Sequence, residues 1–120
     1  MGACYFNLNH LDKAEENFRK ATLISPNYSL AWRNLGVMAR KRGDHAKSID
    51  YSKKAAELNP IAKNLRYAGY ALLVAGVATE DKTRQERLFR DSLTYFEKSL
   101  QKEINLEVEK RVNALKKYLK

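Results

Sequence analysis

The residues able to do chemistry in this chain are bases set among aromatics. Arg33, Arg40, Lys41 and Arg42 fall in one stretch (28–42), and Lys63 and Arg66 fall in a second (61–75) beside Tyr67 and Tyr70. Neither stretch holds Asp or Glu, and nor do residues 1–8, which add Phe6 and Asn7; all 14 acids lie elsewhere. A surface lined by one sign of charge attracts a ligand of the other. Arg donates through a planar fork that matches a carboxylate, while Tyr and Phe supply apolar stacking area. That chemistry is recognition of an acidic segment. Catalysis has no candidates: no phosphate loop, Ser-His-Asp pattern or pair of carboxylates appears, so no enzyme activity and no cofactor are expected. His10 and His45 have no Cys or acid set at metal-ligand spacing and read as exposed turn residues, so no metal is expected.

Composition is compatible with that chemistry. The chain has 120 residues, 44% hydrophobic and 31% charged, which suits one folded domain or a short stack of small units. Its formal charge of +9 comes from 23 Lys+Arg against 14 Asp+Glu. An excess of that size favours acidic partners in general, whether peptide, nucleic acid or anionic lipid. No apolar run approaches the roughly 18 residues of a membrane span. The single cysteine, Cys4, precludes an internal disulfide. It is compatible with a reducing compartment, which favours the cytoplasm. The opening "MGACYF" lacks the Ser or Thr of a myristoylation signal, with Phe6 in its place. No basic and apolar segment precedes its Gly-Ala-Cys, as a lipoprotein signal requires. Cys4 then reads as a small residue packed in a helix.

The elements that must position the bases come as repeats. At an offset of 34, Gly2 recurs as Gly36, Lys20 as Lys54, Ala21 as Ala55, Ile24 as Leu58 and Pro26 as Pro60. At 33, Gly36 recurs as Gly69 and Gly43 as Gly76; at 44, Ser48 recurs as Ser92 and Lys54 as Lys98. The change of offset marks an insertion of about ten residues between Gly76 and Ser92. Each unit divides into two helices. Ser25-Pro26 and Asn59-Pro60 stop the second helices, because Pro cannot continue one. Helices are expected over 12–24, 28–42, 45–58, 61–75 and about 80–102, with Gly43-Asp44 as the break in the second unit. Thr79 followed by Glu80 and Asp81 is the expected start of the long helix, and Leu88 and Phe89 are expected to pack back. Ile104, Val108, Val112, Leu115 and Leu119 make one apolar stripe, which predicts a final amphipathic helix.

Trp32, Leu35 and Gly36 fall at i, i+3 and i+4, on one helical face. Gly inside a helix costs roughly 0.5–1 kcal/mol relative to Ala. Close approach of two helix axes would repay that, with Trp32 filling the space between neighbouring units.

This pattern resembles the tetratricopeptide repeat (TPR) family, whose signature is Trp-x-x-Leu-Gly, a small Ala, an aromatic, another Ala and a closing Pro. Residues 29–62 carry it as Trp32, Leu35, Gly36, Gly43, Ala55 and Pro60. The first unit shows Gly2, Tyr5, Ala14, Phe18, Ala21 and Pro26, and the third shows Leu65, Ala68, Gly69, Gly76, Phe96 and Leu100. Departures are Ala39 where an aromatic is usual, Ser48 and Ser52, and the insertion. The resemblance implies an all-α fold, a right-handed TPR superhelix (an alpha-solenoid) of antiparallel helix pairs with a C-terminal capping helix. Its units would be 1–101, divided as a partial 1–26, then 27–60, then 61–101 with the insertion at about 77–91; the cap would be 102–120. The first unit begins in mid-helix, which fits a fragment of a longer repeat array as well as a complete chain.

The resemblance also implies that first helices line a concave groove and that the partner is a protein. The groove residues expected to bind a peptide are Phe6, Asn7, Arg33, Asn34, Val37, Arg40, Lys41, Lys63, Arg66, Tyr67 and Tyr70. Some TPR co-chaperones grip the acidic C-terminus of heat-shock chaperones with a carboxylate clamp. Asn34 and Lys63 fit that clamp. Arg66 is displaced by one residue, Ala3 stands where an Asn is needed, and the first Lys would precede Met1. The expectation is therefore a non-enzymatic interaction scaffold with a looser basic groove for an acidic peptide or protein segment. Two other readings remain open. Net charge and Tyr–Arg interleaving fit a nucleic-acid-binding helical repeat protein. Uncovered apolar groups around Met1 and Tyr5 fit a subunit that self-associates through that end.

Overall fold

The computed structural model describes residues 8–120, with side chains from Leu11 onward. Expectations placed on Gly2, Ala3, Cys4, Tyr5, Phe6, Asn7 and the His10 side chain lie outside the described residues. The described chain is all-α: α1 (Leu8–Ile24), α2 (Ser29–Lys41), α3 (His45–Leu58), α4 (Ala62–Ala78), α5 (Lys82–Lys102) and α6 (Leu106–Tyr118). Each helix packs against the next in chain order, and α2 also touches α4.

Local chemistry sets most of the boundaries. At the end of α2 the Gly43 N–H donates to the Arg40 carbonyl and the Asp44 N–H to the Ala39 carbonyl, both at 2.9 Å. This closure requires a left-handed residue, and Gly43 supplies it at φ +80°. Asp44 then caps α3, its side chain accepting from the Lys47 N–H at 3.2 Å. Asn105 caps α6 through the Val108 N–H at 3.1 Å. Glu107 and Glu109 in the first turn of α6, with Lys116 and Lys117 in its last, complement the helix dipole.

The insertion is helical, and here the structure corrects two expectations. α4, expected to end at 75, runs through Gly76 to Ala78, and a Gly76 Cβ would stand 2.5 Å from the Phe89 ring. The long helix starts at Lys82, capped by Asp81, whose carboxylate accepts from the Thr83 and Arg84 N–H groups. Thr79 instead accepts from the Asp81 N–H at 3.4 Å, and no acid stands in the first turn of α5. The inserted residues thus lengthen both members of the pair, giving α4 17 residues and α5 21 against 13 in α2 and 14 in α3. Phe89 does pack back, as its spacing requires.

Glycines and small residues fix how closely the pairs approach. A Cβ on Gly36 would stand 2.5 Å from the Ser52 Oγ and 3.3 Å from the Ser48 carbonyl oxygen. A Cβ on Gly69 would stand 2.7 Å from the ring of Phe96, which is fully buried. The Ser92 hydroxyl, also fully buried, donates to the Gly69 carbonyl at 2.7 Å. α6 covers this pair by adding Val108, Val112 and Leu115 to Phe89 and Phe96, and its remaining exposed face is rich in Lys and Glu. Ile104 departs from the expected stripe: it precedes α6 and is 81% exposed. Trp32 donates from Nε1 to the Pro26 carbonyl at the close of the first unit, at 2.8 Å, and lies 5.9 Å from the Tyr51 ring of its own unit.

Candidate functional site

Contact between α2 and α4 brings the two acid-free helices side by side, and Asn64 fixes their register. The Asn64 amide is almost wholly buried, and Nδ2 donates to the Asn59 carbonyl at 2.9 Å and to the Ser29 Oγ at 3.3 Å. Its Oδ1 accepts from Arg33 Nη1 at 3.0 Å. A buried amide stripped of partners costs on the order of 1–3 kcal/mol, so this set holds Asn64 in one orientation. Arg33 is held in turn. Its guanidinium lies 5.2 Å from the centre of the Tyr67 ring, a cation–π arrangement.

The same arrangement recurs one turn further along α4. Arg111 of α6 lies 5.0 Å from the centre of the Tyr70 ring, and that ring meets Phe96 edge-on at 5.1 Å. Arg33, Tyr67, Tyr70 and Arg111 therefore form one row across α2, α4 and α6. The Nε atoms of both arginines are buried with no hydrogen-bond partner among the described residues. Of the expected site residues the row gathers Arg33, Tyr67 and Tyr70. Asn64 and Arg111 are additions. Asn64 stands at a helix start where a cap would be the ordinary reading, and Arg111 lies on a tail helix read only for its apolar stripe.

Other expected bases are diverted. Arg66, 17% exposed at its side chain, meets Glu103 at 3.7 Å, an acid from the α5–α6 junction. Arg42 hydrogen-bonds Asp12 and lies 3.5 Å from Glu15, both on α1. The absence of acids from these helices in sequence is therefore made up in space at Arg42 and Arg66. Among the described residues, no acid lies within ion-pair distance of Arg40 or Lys63. Asn34, Val37 and Arg40 are half-buried; Lys41 and Lys63 are exposed.

One cavity adjoins the row at Arg111, and another lies among α3, α4 and α5. Between α4 and α6 lies an apolar cleft of about 410 Å³, lined by Leu73, Val77, Phe89, Arg111, Ala114, Leu115 and Tyr118. Tyr118 meets Phe89 edge-on at 5.2 Å and donates through its hydroxyl to Gln85 Oε1 at 2.7 Å. A second cavity of about 440 Å³ is lined by Ala56, Glu57, Pro60, Leu65, Tyr95, Lys98, Gln101 and Lys102. There burial, and behind it the charges of Glu57 and Asp91, push the Tyr95 phenol above its ordinary range. Among the described residues no cluster of His, Cys, Asp and Glu is placed to hold a metal ion, and no helix is long and apolar enough to cross a membrane.

The helix pairs, the small residues at their crossings and the closing prolines are matched by a family model, Tetratricopeptide repeat, over residues 1–28 and again over 31–61. Residues 1–61 carry tetratricopeptide repeats. The TPR match ends where α4 begins, so the pair α4/α5 shares the packing logic of the TPR units without lying inside the matched residues. Over 58 residues the chain is 34% identical to the human protein named Protein O-mannosyl-transferase TMTC1. That match takes in 48% of this chain and 7% of the human protein. The chain corresponds to a small part of that relative, and the transferase named there is a property of that protein.

Proposed function

We propose that this chain is a non-enzymatic interaction scaffold that binds an acidic peptide or protein segment along the α2–α4 face. TPR repeats suggest a protein partner; the acidic character of that partner is our inference from charge. The observation that carries it is the side-by-side placement of two helices with bases, aromatics and no acid of their own. Arg33 is the central contact, its guanidinium pre-positioned by Asn64 and Tyr67. Pre-positioning lowers the ordering cost that an arginine otherwise meets on binding. Arg40 and Lys63 add unpaired charge, and Asn34 and Val37 add polar and apolar contact. Arg66 takes part only when Glu103 is displaced. In this proposal 61–101 is a third unit with a helical insertion, and α6 is the cap that closes the stack.

Calorimetry of an acidic peptide against the parent and Arg33→Glu/Arg40→Glu tests the reading. The variant should bind at least tenfold more weakly, and parent binding should weaken with added salt, because part of the attraction is exposed charge. Equal affinity for both proteins would reject the face.

A further inference from the structure

We propose that the cleft between α4 and α6 is an anchor pocket, taking one apolar side chain of an acidic segment whose neighbouring carboxylate pairs with Arg111. The inference rests on the acidic-segment function above and names what that segment must carry. The cleft walls are Leu73, Val77, Ala114 and Tyr118, and Arg111 is the one charged residue among its lining. Its volume of about 410 Å³ accommodates a leucine-sized side chain with room to spare. Val77 and Tyr118 on its rim are 69% and 54% exposed, so the apolar wall is open to a ligand.

Charge complementarity selects the occupant. Arg111 lies against Tyr70, and its Nε has no hydrogen-bond partner among the described residues. The guanidinium is half-buried and meets no acid within ion-pair distance among the described residues, so a carboxylate beside the apolar side chain would pair with its terminal nitrogens. Tyr70 shares α4 with Tyr67, against which Arg33 is packed, so the cleft continues the basic row. A segment crossing α2 and α4 would meet Arg33 first and reach Arg111 with its anchor in the cleft. The segment is taken to run on past the anchor at both ends, as an internal segment does.

Two blocked peptides test this, both acetylated and amidated, with two acids on each side of a central leucine or of a serine in its place. The parent should bind the leucine peptide about tenfold or more tightly than the serine peptide, since burial of one aliphatic side chain is worth about that factor. Ala114→Trp fills the cleft from an exposed position. It should erase the leucine preference while leaving serine-peptide affinity within about twofold. Arg111→Met should weaken the leucine peptide severalfold, and circular dichroism should show both variants folded. Equal parent affinity for the two peptides overturns the anchor pocket and leaves the basic face standing. Loss of leucine-peptide binding in Arg33→Glu/Arg40→Glu, with the preference intact at low salt, separates the two sites. If neither peptide binds the parent, both readings fail. If a free-carboxylate peptide ending in leucine binds tenfold better than the blocked one, the occupant is a chain terminus and the internal segment is rejected.

Discussion

The pairs α2/α3 and α4/α5 solve one packing problem with opposite materials. In α2/α3 the interface is small on small: Gly36 faces Ser48 and Ser52, and Ala31, Ala39, Ala55 and Ala56 are buried around them. In α4/α5 two glycines receive two rings, Phe96 on Gly69 and Phe89 on Gly76. Close backbone approach gives the first pair geometry but little buried apolar volume, with Leu35 its principal large buried side chain. The rings give the second pair volume, and α6 seals it with Val108, Val112 and Leu115. Hydrophobic stabilisation scales with apolar area removed from water. Burial therefore predicts that α4–α6 is the more stable part of the described molecule, and the repeat signature is most complete in the part that is less apolar.

Phe96→Ala should break the contrast most directly. Removal of a fully buried ring costs about 3–5 kcal/mol, and urea melts should show that loss without a change in helical content beforehand. A destabilisation under 1 kcal/mol would mean that the ring is not the keystone of the second pair.

Next in size is the glycine comparison. Gly69→Ala drives a Cβ into a ring that has nowhere to move, a cost of about 1–3 kcal/mol from overpacking. Gly36→Ala meets the rotatable Ser52 hydroxyl at 2.5 Å and, less closely, the Ser52 nitrogen and Ser48 oxygen at 3.2 and 3.3 Å, and the gain in helix propensity of roughly 0.5–1 kcal/mol offsets part of the clash. The expected order is Gly69→Ala worse than Gly36→Ala, with Ser52→Ala relieving the latter. A reversed order in thermal melts would show that backbone contact, rather than the rings, is the less forgiving seam.

Asn64→Ala probes the joint between the pairs. It should cost about 1–2 kcal/mol through lost buried hydrogen bonds. Amide exchange should rise in α2 and α3 before α4–α6, because the weaker pair loses its tether. Uniform acceleration across all helices would make the two pairs one cooperative unit.

The smallest effect concerns Tyr95, whose cavity lies between residues of both pairs. Its folded phenol titrates above the unfolded value, chiefly through burial and then through Glu57 and Asp91. The unfolded chain releases that proton first, so stability is intact below the unfolded value and falls as pH rises through the folded one. Tyr95→Phe should flatten that alkaline decline, and Glu57→Gln should lower the phenol's midpoint in ultraviolet titration. An unchanged alkaline limb in Tyr95→Phe would assign the loss to other groups.

Much of the fold was legible in residue spacing. The α3 boundaries, the Pro-stopped helix ends and the Gly at close crossings follow from interactions within a few residues or from the repeat itself. Gly76 was less legible, since a repeat offset cannot distinguish a glycine that turns the chain from one that receives a ring. The face was legible only in part. Arg33, Tyr67 and Tyr70 are gathered as their helical phase requires, while Phe6 and Asn7 lie outside the described residues.

By itself the sequence determined that helices would form, where most would end, and that α2 and α4 would carry bases without acids. Those properties belong to segments, and periodicity, caps and prolines act within a turn or two. Only the tertiary structure decided which bases remained available. Glu103 reaches Arg66 and α1 reaches Arg42, whereas Arg111 is carried to Tyr70 by the docking of α6. Charges far apart along the chain interact only at the short range that packing creates, so their pairing is a property of the fold.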